Sequence, residues 1–291
     1  MALLDREFLE KLERLTIHWQ KSFPGLVGGH HASRFAGAGQ EFLDHRNFHH
    51  GDDVRAVNWR AYLRLEKLFL KMFHIEPRVP VRMLLDSSAS MGARTGRKFD
   101  YARRLAGALC YVGLVRLDSM EIHAFSNRMG HRIPASGGRH HFGAAADALS
   151  ALTAEGRTDF LAVAREFISG YSQRGLVIVL SDFLDDGGCE RALQYMSDFG
   201  HELMLVQVWD EEDRTPPWTG ELDLYDAETG GHLRLDFDEA ARHLYTRSFD
   251  EYAAEVEKLA MRGGGRYAGV STAQPLEDII FGDLIRVRGI A

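Results

Sequence analysis

The segment Asp86-Ser87-Ser88-Ala89-Ser90 places a carboxylate and two hydroxyls at alternate positions. In an extended turn alternate residues point the same way, so Asp86, Ser88 and Ser90 can face one point. Two other segments offer matching groups. Gly156-Arg157-Thr158-Asp159 brings the hydroxyl of Thr158, and Ser181-Asp182 brings a second carboxylate. An all-oxygen set without thiolate or imidazole suits a hard divalent cation, Mg²⁺ or Mn²⁺, with Ca²⁺ next. Mg²⁺ takes six oxygens at about 2.1 Å and usually keeps some waters. Ser88, Ser90 and Thr158 are suited to direct contact, with Asp86 and Asp182 holding bound waters. A cation held directly by neutral hydroxyls stays under-neutralised, so it attracts an Asp or Glu from outside. The same residues also have a plain structural use, because Ser and Asp cap the helices that follow strands.

Along the chain these groups fall at particular places. From Pro80 onward short apolar runs alternate with amphipathic stretches. The runs are 79–86, 119–125, 175–182, 201–210 and 265–270, and the helical stretches are 98–116, 142–152, 159–171, 188–199 and 238–262. Strands separated by helices imply parallel crossovers, and near-continuous apolar strands imply a sheet covered on both faces. The expected fold is therefore α/β, a doubly wound, mostly parallel sheet over 78–291. Asp86 and Asp182 then end strands, where ligands bind in such sheets. Segment 220–237, GELDLYDAETGGHLRLDF, has two alternating halves around Gly230-Gly231 and reads as an inserted β-hairpin. Residues 1–77 read as an amphipathic N-terminal helix carrying Leu4, Phe8, Leu12 and Leu15, followed by a small β-rich subdomain. Within it the alternation of Leu63, Leu65, Leu68 and Leu70 suggests strand, with helix as the alternative.

The strand-end oxygens resemble the metal-ion-dependent adhesion site of von Willebrand factor type A domains. The matching residues are Asp86, Ser88 and Ser90, then Thr158, then Asp182. Phe183 stands where many such domains have glycine. The run FLDHRNFHHGDDVRAVNWRAYLRLEKLFLKMF (42–73) resembles the signature of the domain-of-unknown-function 58 family, and LYDAETGG (224–231) resembles its insert. Asn58 replaces that family's usual Asp. The resemblance implies a Rossmann-like type A fold, a protein-binding role, and a MoxR-type AAA+ ATPase as partner in chaperone-like maturation; it implies no reaction. Read from the residues alone, Gly51-Asp52-Asp53 forms a turn or cap, with Arg55 and Arg60 free to pair with its carboxylates and Trp59 as a core anchor. A partner-binding role for the stretch is the alternative.

Several motifs lead nowhere. Gly92 to Lys98 has the wrong spacing for a phosphate loop and carries Phe99 where a hydroxyl should hold the metal. Gly263-Gly264-Gly265 follows a helix and enters a strand, the reverse of a dinucleotide fingerprint, and reads as a helix cap and turn. The pairs His30-His31, His49-His50 and His140-His141 are sequence neighbours and do not share a face, so they read as loop and surface histidines. No nucleophile elbow occurs.

Composition narrows the classes further. The chain has 291 residues, 45% hydrophobic and 26% charged, which is ordinary globular usage. A net charge of −7 argues against a nucleic-acid partner. Two cysteines, Cys110 and Cys189, cannot make a disulfide scaffold and read as buried thiols. No apolar run approaches the roughly 20 residues of a membrane helix, and the N-terminus lacks a signal-peptide core, so the expected location is cytoplasmic. Charge is uneven: 54–104 holds 12 basic against 4 acidic residues, and 210–258 holds 5 against 15. This reads either as two faces balancing within one molecule or as a surface prepared for a charged protein partner. The function expected is a metal-ion-dependent protein-binding module that grips an acidic side chain. The alternatives are a metal-dependent hydrolase of phosphate esters, for which nucleophile and general base are missing, and a degenerate site that no longer holds metal.

Overall fold

The structure is a computed structural model and describes residues 3–18, 41–49, 54, 57–74, 79–185 and 188–290. The chain divides into two compact units, one of Met1–Lys21 with Val79–Ala291 and one of Ser22–Arg78. Helix α1 (Arg6–Leu12) begins at Asp5, whose side chain accepts the Phe8 N–H at 2.8 Å. Its stripe of Leu4, Phe8, Leu12 and Leu15 is buried in the core of the larger unit. By packing, therefore, the first helix goes with the α/β unit and not with the small subdomain that follows it in sequence.

The small unit pairs β1 (Glu41–Asn47) with β2 (Phe69–His74) in antiparallel fashion, with α2 (Trp59–Leu65) between them. The leucine alternation thus splits. Asn58 caps α2 by accepting the Ala61 N–H, and Glu66 adopts a left-handed conformation that stops it before β2. α2 buries none of its residues. Trp59, expected as a core anchor, is 56% exposed and meets Tyr62 edge-on. The expected pairing of Arg55 and Arg60 with the carboxylates of Asp52 and Asp53 falls on residues of which all but Arg60 lie outside the described ones.

The larger unit is built on six strands: β3 (Val81–Asp86), β4 (Met120–Phe125), β5 (Met129–Ala135), β6 (Leu176–Ser181), β7 (Glu202–Trp209) and, after the hairpin β8 (Gly220–Tyr225) and β9 (His232–Phe237), β10 (Arg266–Ser271). Their spatial order is β10-β7-β6-β3-β4-β5, all parallel except β5. This is the doubly wound sheet expected from the sequence. Its strand order reverses between β3 and β6. β5 was not legible: only Ile133 and Ala135 are buried in it, and Pro134 sits in what is an edge strand.

Side chains alternate across the sheet. Met83 and Leu85 enter one core cluster, with α1, α4 (Arg97–Val115) and α5 (Phe142–Ser150). Leu84, Val177 and Val179 enter the other, with α6 (Phe160–Gly170), α7 (Cys189–Asp198) and α9 (Glu239–Arg262). Both cysteines are buried free thiols. His140 and His141 are exposed as expected, but His123 and His201 are buried in or beside the sheet: Tyr171 and the Gly175 N–H satisfy one ring nitrogen of each.

Gly175 marks where β6 must approach β3. A Cβ there would lie 2.2 Å from the Pro80 carbonyl oxygen, which accepts the Leu176 N–H across the same gap. Gly175→Ala is expected to lower stability by about 1–3 kcal/mol through overpacking against backbone. A denaturant midpoint equal to that of wild type would show that the strands part freely.

Candidate functional site

The carboxyl ends of β3 and β6 flank the reversal point of the strand order, where such sheets form a crevice. Asp86 ends β3 and is fully buried. One of its oxygens accepts the Ser88 N–H at 2.9 Å, and the other accepts the Ser181 hydroxyl at 2.6 Å. Ser88 starts the short helix α3 (Ala89–Gly92), and its hydroxyl lies 3.0 Å from that of Ser90. The third segment is tied to this turn through backbone. Ala89 N–H donates to the Gly156 carbonyl at 2.9 Å, and Glu155 N–H donates to the Ser87 carbonyl at 2.7 Å. Thr158 follows, buried, just before the Asp159 cap of α6. Direct contacts thus join Asp86, Ser88 and Ser90, the Asp182 carboxylate lies close enough to act on that of Asp86, and Thr158 lies two residues beyond the Gly156 carbonyl that meets the Ala89 N–H.

Asp182, directly after β6, is buried and does not stand alone. Lys98, buried in the first turn of α4, places its Nζ 2.8 Å from Asp182 Oδ2 and 3.1 Å from Asp213. Burial alone pulls the ammonium pKa down, but the two carboxylates outweigh it and hold it above the ordinary lysine value. Asp86 has no such ion-pair partner among the described residues. Burial, reinforced by the nearby Asp182 carboxylate, pushes its pKa up to about 7 against the hydrogen bonds from Ser181 and Ser88.

Phe183 takes the glycine position of the expected loop and adopts a left-handed backbone conformation, with φ near +59°. That backbone costs a side chain of this type on the order of 1–2 kcal/mol. Burial of the ring, its stacking on Phe160 at 5.7 Å, and the Phe183 N–H donated to Ser181 Oγ at 2.8 Å hold it there. Ser181 therefore bridges Asp86 to the loop that carries Asp182.

The charge-biased segments also meet here. Arg94 pairs with Glu212, Arg97 lies 3.6 Å from Asp210, and Lys98 reaches Asp213. Part of the sequence asymmetry is thus internal balance between α4 and α8 (Glu211–Arg214).

Three residues of the site escaped the sequence reading. Lys98 was set aside with the failed phosphate loop, and Ser181 was read only as part of a strand end. Glu228, in the turn between β8 and β9, accepts both the N–H and the hydroxyl of Thr158, each at 3.0 Å. The one available signal was an acidic residue two positions after Asp226 inside the Asp-Ala-Glu-Thr-Gly-Gly turn.

As to what the crevice can hold, its donors are oxygens, and the buried Asp182 carboxylate shares the Lys98 ammonium with Asp213 while raising the pKa of the buried Asp86 nearby. That set fits a hard divalent cation. Among the described residues no group of three or more His, Cys, Asp or Glu side chains could hold a metal ion, so any cation here would depend on the hydroxyls.

The profile described as "Protein of unknown function DUF58" matches residues 44–255. The chain belongs to this family. A relative from Mycobacterium tuberculosis strain H37Rv, "Uncharacterized protein Rv1480", is 25% identical over 266 residues, covering 90% of this chain and 83% of that one. Among solved structures, BatB from Bacteroides thetaiotaomicron is similar with a TM-score of 0.42 and 16% identity, over 72% of this chain and 98% of that one. The SpRpn10 VWA domain gives 0.41 and 10% identity, over 69% and 93%. Mussel byssus proximal thread matrix protein 1, described with a zinc-occupied MIDAS motif, gives 0.40 and 12%, over 72% and 46%. No helix among the described residues is long and apolar enough to cross a membrane.

Proposed function

We propose that this DUF58 chain is a cation-dependent protein-binding module. Ser88, Ser90 and Thr158 would hold Mg²⁺, or Mn²⁺ or Ca²⁺, directly, with Asp86 and Asp182 holding its waters. The open coordination position would take an acidic side chain of a protein partner. The observation that carries this reading is a buried, charge-deficient pair of carboxylates beside a serine pair at the switch point of the sheet. The family resemblance supports a MoxR-type AAA+ ATPase, or its client, as that partner, in a chaperone-like maturation role in the cytoplasm. A phosphoester hydrolase has less support, since both Asp86 oxygens are engaged by Ser88 and Ser181 and no activated nucleophile stands among the described site residues.

Calorimetry with Mg²⁺ and Mn²⁺ tests it. Wild type should take up one ion, and Asp86→Ala should weaken uptake about 10–100-fold. A purified AAA+ partner should be retained with Mg²⁺ and released by chelator. Unaltered uptake in Asp86→Ala, or sustained Asp182-dependent turnover of a generic phosphoester, would sink the proposal.

A further inference from the structure

The hairpin between β7 and α9 delivers a carboxylate to the crevice. Its tip is a self-organised turn. Asp226 accepts the N–H groups of Glu228 at 2.8 Å and Thr229 at 3.1 Å, together with the Thr229 hydroxyl at 2.6 Å. The Asp226 N–H donates to the Gly231 carbonyl at 2.8 Å, and Gly230 takes φ +73°, which closes the turn. The hairpin strands are largely exposed, so packing alone does not fix where the tip lies; Phe237 is their one buried residue. Within the tip, Glu228 is half-buried while its neighbours are exposed. Both of its oxygens are directed at Thr158, the hydroxyl ligand supplied by the loop before α6.

A cavity of about 480 Å³ lies beside this contact, with Glu228 and Asp226 on one wall, Ser90 and Arg157 on another, and Leu184 and Tyr252 also lining it. Ser90 and Glu228 thus border one space. It is large enough to admit an incoming side chain once the tip moves.

The chemistry is that of the ligand the site is read to seek from outside: a single carboxylate, directed at a hydroxyl of the oxygen set. We propose that Glu228 is an internal acidic ligand of the site, holding the place of a partner's carboxylate, so that an acidic side chain on an exposed turn or tail of the partner binds by displacing the hairpin tip. This rests on the cation-site reading above.

The test compares wild type, Glu228→Gln and Asp86→Ala, using Mn²⁺ and the α-amide of N-acetylglutamate, which carries one carboxylate. Bound Mn²⁺ is measured from the electron-spin signal of the free ion, and the probe's γ-methylene relaxation is read by NMR at equal bound Mn²⁺. Glu228→Gln should enhance probe relaxation at least threefold over wild type, while Asp86→Ala should bind little Mn²⁺. In chelator, hydrogen exchange across 226–231 should run about tenfold faster in Glu228→Gln. Mn²⁺ uptake with equal probe relaxation and equal exchange in the two proteins overturns the internal ligand and leaves the cation site standing. Absence of Mn²⁺ uptake by wild type overturns the cation site, and the internal ligand with it.

Discussion

Replacing Lys98 with methionine is expected to cost about 3–5 kcal/mol of stability in chelator at pH 8, the usual penalty for stripping one partner from a buried ion pair. The methylene stem is kept, so the loss isolates the ammonium. That ammonium sits 2.8 Å from Asp182 and 3.1 Å from Asp213, and Lys98 is 5% exposed. Without it, the buried Asp182 carboxylate, which already raises the pKa of Asp86, loses its ion-pair partner. The expected companion result is a double variant, Lys98→Met with Asp182→Asn, that is less destabilised than the sum of the single variants by at least 1 kcal/mol. Millimolar Mg²⁺ should return part of the stability of Lys98→Met, because a divalent ion supplies the missing positive charge. Urea midpoints measure all three. A single-variant loss below about 1 kcal/mol would mean that water reaches Asp182 and that the pair is not sealed.

The second large effect is on pH. In the unfolded chain Asp86 titrates near its ordinary value of 3.8, and burial raises it in the fold to about 7. Between these values the folded chain holds a proton that the unfolded chain has released. Stability is therefore greatest at the acid end of this window, falls as pH rises from about 4, and has lost the full contribution once pH passes about 7. At 1.36 kcal/mol per unit the loss is about 4 kcal/mol at most, and the relief supplied by flexing or entering water reduces it. Other groups titrate in the same range, so the measurement is the difference between wild type and Asp86→Asn, both in chelator, across pH 4 to 8. Asp86→Asn should show the flatter curve. A divalent ion should erase most of the difference at pH 8. Parallel curves would show that the Asp86 carboxyl stays ionised throughout.

Much of the architecture was legible. The apolar runs at 79–86, 175–182 and 201–210 became β3, β6 and β7 within a residue or two, and the Gly-Gly turn marked the hairpin at its observed strands. These signals are local, since a strand buried on both faces needs an unbroken apolar run wherever it lies. β5 failed the same test because an edge strand buries little and tolerates proline. Trp59 failed in the opposite direction. Its size suggested an anchor, but α2 buries none of its residues.

By itself the sequence determined the strand and helix alternation, the stripe of α1, and the oxygen-bearing positions Asp86, Ser88, Ser90 and Asp182 at or just after strand ends and Thr158 just before a helix. Periodicity and strand termini are properties of short segments and can be read from short segments. Only the tertiary structure decided that α1 packs on the α/β unit, that Lys98 meets Asp182 across 84 positions, and that Glu228 meets Thr158 across 70. Such pairings depend on the order in which strands assemble and on where an inserted hairpin folds back. No local pattern encodes either, because each contact is made only after both of its partners have been placed by the sheet.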